Sequence, residues 1–242
     1  MSTVETGKFE PSTGTALNLG ASGDAVTLPA GVTLKTNTIK DAGGNTIFTS
    51  DGAGTLSSVN SGLQGNMVFI SSQTASGSAS LSFTSGIDST YDEYVFYFVN
   101  IRPATDNGFF SFQANATDSS GYDRTMTTTY FDAYHEEDGT GGAVEYRAGY
   151  DQAQGTAFQT ILPYMGNDAD GGGAGELHLF SPSSTTYVKH FYIRTNYYYS
   201  ADASYNTFVA GYINDTTAID DVQFKMSTGN IDTGSIYLYG IK

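Results

Sequence analysis

The sequence predicts an all-β protein in which an extended N-terminal arm precedes a jelly-roll-like β-sandwich. Short apolar and β-branched runs alternate with turns rich in Gly, Asn and Asp, a pattern typical of strands. No stretch of twelve or more residues carries the apolar period of a helix. All 18 tyrosines lie at or beyond Tyr91, and of the 15 phenylalanines only Phe9 and Phe48 precede residue 66. These observations place the core in the second part of the chain.

Residues 1–65 are predicted to form an arm that is ordered by other copies of the chain. Gly, Ser, Thr, Asn and Asp dominate this segment, and its short alternating runs are 33–40, 46–49 and 55–60. Their apolar area is too small to offset an ordering cost of roughly 1–2 kcal/mol per residue. Three such arms side by side can share one core, so we expect a homotrimer. The competing interpretation is a flexible linker.

Residues 66–242 are predicted to form the sandwich, which we call the head. Twelve candidate strands divide it: 67–71, 81–84, 94–101, 109–116, 126–131, 144–148, 158–164, 176–180, 187–197, 206–213, 222–226 and 235–241. Both alternating faces of 94–99 are apolar, so we expect this strand to be covered on two sides. In 235–241 one face is Ile and Leu and the other is Tyr, which predicts an inward aliphatic face and an aromatic subunit-contact face.

Charge and composition exclude several classes of partner and chemistry. The net charge is −15, and residues 66–242 hold seven bases against twenty acids, so we expect no binding to nucleic acid phosphates. Without cysteine there is no thiolate catalysis or zinc-thiolate site. The N-terminus lacks the features of a signal peptide, and the apolar runs are too short for a membrane span. We therefore expect no membrane insertion and assembly in a cytoplasm.

Two short segments resemble a known group of proteins. Residues 34–52 read L-K-T-N-T-I-K-D-A-G-G-N-T-I-F-T-S-D-G, and residues 229–242 read G-N-I-D-T-G-S-I-Y-L-Y-G-I-K. The first resembles the N-terminal region, and the second the closing strand, of fibre proteins of tailed bacteriophages of marine bacteria. The resemblance implies a trimeric virion structural protein whose arm contacts other virion proteins and whose β-sandwich faces outward. The resemblance is compatible with attachment to the capsid and with attachment to the tail.

One acidic loop is a candidate cation site. Asp168, Asp170 and Glu176 surround a glycine run, and carboxylates spaced by one residue before a glycine can converge on a hard ion such as Ca²⁺. The segment lacks a further ligand and the full twelve-residue spacing of a calcium loop. An acidic surface loop is therefore the preferred interpretation, and we expect no other cofactor.

A tyrosine-rich segment is the candidate site for contact with a host-surface glycan. Exposed aromatic faces beside polar groups suit carbohydrate, and the residues that combine the two here are Asn196, Tyr197, Tyr198, Tyr199, Asp202 and Tyr205. Three consecutive tyrosines in a strand cannot all face one core. The competing interpretation is that these tyrosines pack between subunits, where aromatics are also enriched.

No catalytic grouping is identifiable, so we expect a protein that is not an enzyme. There is no Gly-x-Ser-x-Gly motif, and the three histidines, His135, His178 and His190, do not form a site by spacing. A hydrogen-bonded histidine within a sheet is the expected role for His178 and His190. The sequence thus favours structural display with adhesion to a host surface. A glycan depolymerase and a capsid decoration protein are the alternatives.

Overall fold

The computed structural model describes residues 36–53, 55–60 and 65–242, and within these ranges the protein is all-β with no helix. The chain divides into two compact units, 1–63 and 64–242. The described residues include no helix that is long and apolar enough to cross a membrane.

The N-terminal unit contains a three-stranded antiparallel sheet of β1 (Thr38–Lys40), β2 (Thr46–Ser50) and β3 (Leu56–Val59), in that order. Strands were predicted at these three places; residues 33–35 of the first run lie outside the described residues. The Asp41 carboxylate accepts a hydrogen bond from the Asn45 amide at 2.8 Å and closes the first turn. None of the side chains described in these strands is buried. Association of this sheet with other copies stays a prediction.

Thirteen strands build the head. They are β4 (Met67–Thr74), β5 (Ser80–Phe83), β6 (Glu93–Pro103), β7 (Gly108–Ala116), β8 (Met126–Glu136), β9 (Gly142–Tyr146), β10 (Ala153–Gly155), β11 (Gln159–Met165), β12 (Gly173–Phe180), β13 (Lys189–Tyr199), β14 (Ala203–Ile213), β15 (Ile219–Met226) and β16 (Ile231–Ile241). Each of the twelve predicted strands is present, with shifted ends. The strand β10 was not predicted, because its three residues are too few to show an alternation.

The head strands form one antiparallel sheet that folds back into a near-closed sandwich. One part has the order β4-β16-β6-β12-β13-β14-β8, with β9 and β10 paired to β8, and the other has the order β11-β7-β15-β5. The two parts meet where Met165 of β11 pairs with Tyr199 of β13.

The core lies between the two parts of the sheet and follows the two-residue period of the strands. In β13, for example, Phe191, Ile193 and Tyr197 are buried, whereas Tyr192 and Arg194 are exposed. Phe224 is at the centre of an aromatic cluster, and its ring centroid lies 5.3–6.3 Å from those of Phe83, Phe96, Phe98, Phe110 and Phe112. Aromatic contacts of this kind stabilise a core beyond the area that they bury.

The two strands singled out in the sequence have different outcomes. The prediction that both faces of β6 are covered is confirmed at Val95, which is fully buried. It is wrong at Val99, which is 41% exposed. The inward aliphatic face of β16 is confirmed, since Ile236 and Leu238 are fully buried. Because β16 pairs with β4 on one side and β6 on the other, it is an interior strand of the sheet.

Candidate functional site

The tyrosine segment does not form one flat platform. Its side chains alternate between the two faces of β13, as the period of a strand requires. Tyr197 is only 2% exposed, so it is not one of the exposed aromatic faces; contact of this segment with a glycan stays a prediction. Tyr199 and Tyr205 are half-buried on the same side, whereas Asn196 and Tyr198 contribute to a groove on the other side.

A polar cavity of about 120 Å³ lies where β8, β11, β13 and β14 come together. We call it the tyrosine cavity, and its lining is Asp132, Arg147, Tyr150, Pro163, Tyr164, Tyr197, Tyr199 and Tyr205. It lies beside Met165 and Tyr199, the residue pair that joins β11 to β13 in the sheet.

A buried ion pair forms one wall of the tyrosine cavity. Asp132 is 1% exposed, and the Nε of Arg147 donates to its two carboxylate oxygens at 2.9 and 3.2 Å. The Nη1 of Arg147 lies 2.6 Å from the more exposed Glu145 carboxylate. Burial raises the pKa of Asp132, and the Arg147 guanidinium opposes that increase. The guanidinium therefore holds a charged carboxylate inside the protein.

The hydroxyl of Tyr197 has no hydrogen-bond partner among the described residues, although it is buried. Burial raises the pKa of this phenol, and the nearby Tyr130 and Asp132 raise it further. The phenol is therefore neutral and able both to donate and to accept a hydrogen bond. A buried hydroxyl without a partner is uncommon and calls for an explanation in the function of the site.

Tyr197→Phe is expected to stabilise the protein. The substitution removes a hydroxyl whose unsatisfied burial costs about 1–3 kcal/mol and leaves the ring in place. We expect the free energy of unfolding, measured by urea titration, to increase by an amount in that range. Tyr187→Phe is the matched control, because Tyr187 is 72% exposed and its change should stay within about 0.5 kcal/mol. A less stable Tyr197→Phe protein would contradict the expectation.

Aromatic rings surround the mouth of the tyrosine cavity. Tyr199 stacks on Tyr205 with ring centroids 4.6 Å apart, and Tyr164 lies edge-on to Tyr199 at 5.9 Å. Tyr164 is 38% exposed and has a φ of +48° within an irregular part of β11. Such a backbone is unfavourable for a bulky residue, and strained residues of this type cluster at ligand sites.

The opposite side of the hairpin carries a shallower groove of about 270 Å³. Asn196, Tyr198 and Asp170 contribute to it, and the Tyr198 hydroxyl donates a short hydrogen bond to Asp202. The Asn196 amide donates to the Tyr205 carbonyl at 2.8 Å. Both polar groups are thus already engaged within the hairpin.

The predicted three-carboxylate cation site does not form. Glu176 lies within β12, opposite Tyr97 and Arg194, whereas Asp168 and Asp170 lie in the loop before the strand. At about 3.3 Å per residue, the extended strand carries Glu176 roughly 10 Å beyond its own start. In the part of the chain that the structure describes, no three His, Cys, Asp or Glu side chains are grouped to hold a metal ion.

The solvent side of the larger part of the sheet carries a second candidate surface. We call it the outer aromatic face, and two cross-strand rows define it. The first row is Tyr237, Tyr97, Glu176, Arg194, Phe208, Phe131 and Tyr146. The second row is Phe69, Tyr239, Val95, His178, Tyr192, Ala210 and Thr129.

Several large rings of the outer aromatic face are open to solvent. Phe69 is 55% exposed, Tyr146 60% and Phe131 42%. Shallow depressions of about 480 and 400 Å³ lie beside Tyr192 and Ala210, and the smaller one also borders Phe131. The two rows contain one acid, Glu176, and one base, Arg194, and Glu93 lies beside them against His178. Elsewhere in the head acids strongly outnumber bases.

His178 is the polar centre of the outer aromatic face. Its Nδ1 lies 2.5 Å from Glu93, its Nε2 lies 3.6 Å from Glu176, and its ring stacks on Tyr192 at 4.4 Å. The prediction of a hydrogen-bonded sheet histidine is confirmed here. The imidazole occupies the space between the two carboxylates, where a glycosidase would place the scissile bond and water.

Sequence reasoning missed five residues of the tyrosine cavity: Asp132, Arg147, Tyr150, Pro163 and Tyr164. One signal was available for the first of them. The alternation that puts Met126 and Tyr130 on the inward face of β8 also puts Asp132 there, and a buried acid requires a partner. Nothing local identifies Arg147 as that partner.

Comparison of the chain with protein-family models, with curated proteins and with solved structures yields no match.

Proposed function

We propose that this chain is a structural subunit of a tailed-bacteriophage virion, a homotrimeric fibre or spike on the capsid or tail whose jelly-roll-like head adheres to a host-surface glycan. The observation that carries the proposal is the outer aromatic face. Soluble monomers rarely expose contiguous apolar patches above a few hundred Å², and aromatic residues are enriched at protein interfaces. A second copy of the chain is the occupant that this face fits best.

Electrostatics support self-association through this face in particular. A chain of net charge −15 repels its own copies. Close contact is therefore most favourable where the acids are few, and in the two rows of the outer aromatic face Glu176 is balanced by Arg194 opposite it. The arm, with its small sheet and exposed Leu56, would add further contacts between copies and reach other virion proteins.

Phe131→Glu is expected to dissociate the oligomer. The substitution puts a carboxylate into the first row between Phe208 and Tyr146, where three copies would place like charges in a desolvated contact. We expect a trimer for the unchanged chain and a monomer for the variant in sedimentation equilibrium at micromolar concentration. Tyr187→Glu, in the loop before β13, is the control and should remain trimeric. A monomeric unchanged chain, or a trimeric Phe131→Glu protein, would contradict this assignment.

Imaging tests the virion location directly. Antibodies against the head should label particles released from infected host cells, and a chain beginning at Asn66 should fold but fail to join those particles. The label's position separates a capsid mount from a tail mount. Absence of label from intact particles would refute the proposal.

Two other functions give different results in the same preparations. A depolymerase would shorten host polysaccharide chains on incubation, and the adhesin proposed here would leave their length unchanged. A decoration protein would label the capsid without adhering to host cells.

A further inference from the structure

The tyrosine cavity combines polar groups that are prepared for a ligand. Tyr197 is one of its lining residues and is 2% exposed, and its enclosed hydroxyl is unpartnered among the described residues. The Arg147 guanidinium is anchored to Asp132 through its Nε and retains further N–H groups. The rings of Tyr199 and Tyr205 form a stacked pair beside them. Donors, acceptors and aromatic faces are therefore presented together.

Charge and size restrict what the cavity can hold. Asp132 and Arg147 cancel within the lining, and the Glu145 carboxylate beside Arg147 adds a further negative charge, so the cavity does not favour an anion. The acidic head also repels anions from a distance. A volume of about 120 Å³ corresponds to roughly four water molecules at about 30 Å³ each. The space is smaller than a whole hexopyranose, so it admits one edge of a terminal sugar that enters end-on, and it excludes the middle of a polymer chain.

We infer that the tyrosine cavity binds the terminal residue of a neutral glycan. A pyranose presents adjacent hydroxyl groups that both donate and accept hydrogen bonds, which the phenols, the Asp132 carboxylate and the Arg147 guanidinium can satisfy. Its C–H faces suit the rings of Tyr199 and Tyr205. This inference rests on the proposed adhesive function and assigns it to a site that differs from the outer aromatic face.

The Tyr197 hydroxyl lacks a hydrogen-bond partner among the described residues, and a bound ligand would supply one. This hydroxyl is held in place by packing in the core, since the ring is part of the inward face of β13. The hydroxyl is enclosed as well as unpartnered, so a sugar hydroxyl supplies the missing hydrogen bond once a ring at the cavity mouth gives way. Preorganised groups of this type contribute to affinity because binding does not have to order them.

Methyl glycosides provide the test. Methyl glucoside, galactoside, mannoside, rhamnoside and N-acetylglucosaminide are titrated into the full chain, with methyl glucuronide as an anionic probe, and binding is followed by saturation-transfer NMR. We expect at least one neutral glycoside to bind and to compete with adhesion to host cells. Tyr197→Phe should weaken that binding by about tenfold, the effect of one lost hydrogen bond. Tyr187→Phe should leave it unchanged.

Four results overturn the inference. If host cells are bound but no neutral glycoside binds or competes, the cavity is not the adhesive site, although the proposed function survives. If Tyr198→Phe weakens binding and Tyr197→Phe does not, the ligand lies in the groove on the other side of the hairpin. Preferred binding of the glucuronide refutes the neutral class of ligand. If the chain binds neither host cells nor any glycoside, the proposed adhesion fails together with the cavity.

Discussion

Deletion of residues 231–242 is expected to prevent the head from folding. These residues contain β16, which lies between β4 and β6, so β4 would lose its partner strand and β6 would keep only β12. The deletion also removes Ile231, Ile236 and Leu238, all fully buried. Burial of each is worth about 1.5–3 kcal/mol, and the sum, about 4.5–9 kcal/mol, approaches the whole stability of a typical domain.

Circular dichroism and solubility measure this effect. The shortened chain should lack a cooperative thermal transition and should aggregate, because unpaired strands associate with one another. Deletion of residues 1–65 is the control and should leave a soluble β-rich protein with a single transition. A cooperative transition in the chain that ends at Asn230 would show that β16 is dispensable.

Arg147→Met is expected to reduce the free energy of unfolding by about 3–5 kcal/mol near neutral pH, because it leaves the Asp132 carboxylate buried without its counter-charge. The side chain of Asp132 is 1% exposed, and Met offers no hydrogen-bond donor or charge in place of the guanidinium. Glu145→Gln removes the other carboxylate that contacts Arg147, and this side chain is 42% exposed. That control should cost less than about 1 kcal/mol.

The loss in Arg147→Met should depend on pH. Burial already raises the pKa of Asp132 above its ordinary 3.8, and removal of the guanidinium raises it further. The folded protein then binds a proton more readily than the unfolded chain, so stability increases as the pH falls toward the unfolded pKa and decreases as the pH rises. Urea titrations between about pH 7 and pH 4 should show a partial recovery that Glu145→Gln lacks. An equal loss at every pH would exclude an uncompensated Asp132 charge as the cause.

The candidate site was predictable only in part. Tyr197 and Tyr199 were candidates because three consecutive tyrosines cannot share one face, and Tyr205 because it lies beside polar residues; all three line the cavity. The position of Tyr198 on the other side of β13 also follows from the period of a strand. The cation site failed because spacing along the sequence ignores the extended rise that separates Glu176 from Asp168.

The local sequence pattern alone determined the all-β class and twelve strands of the head, because alternation and turn residues act within a few positions of each other. The composition alone placed the large apolar residues, and therefore the core, after residue 65. The tertiary structure decided which strands pair and in what register. Arg147 reaches Asp132 only because β8 and β9 form a hairpin, and Tyr150, Tyr164 and Tyr197 meet only because β11 crosses to β13. Similarly, Lys189 is fully buried because the fold brings the carbonyls of Asp215 and Thr217 within 2.9 and 2.6 Å of its ammonium. Such contacts join residues far apart in the chain, and no local period encodes them.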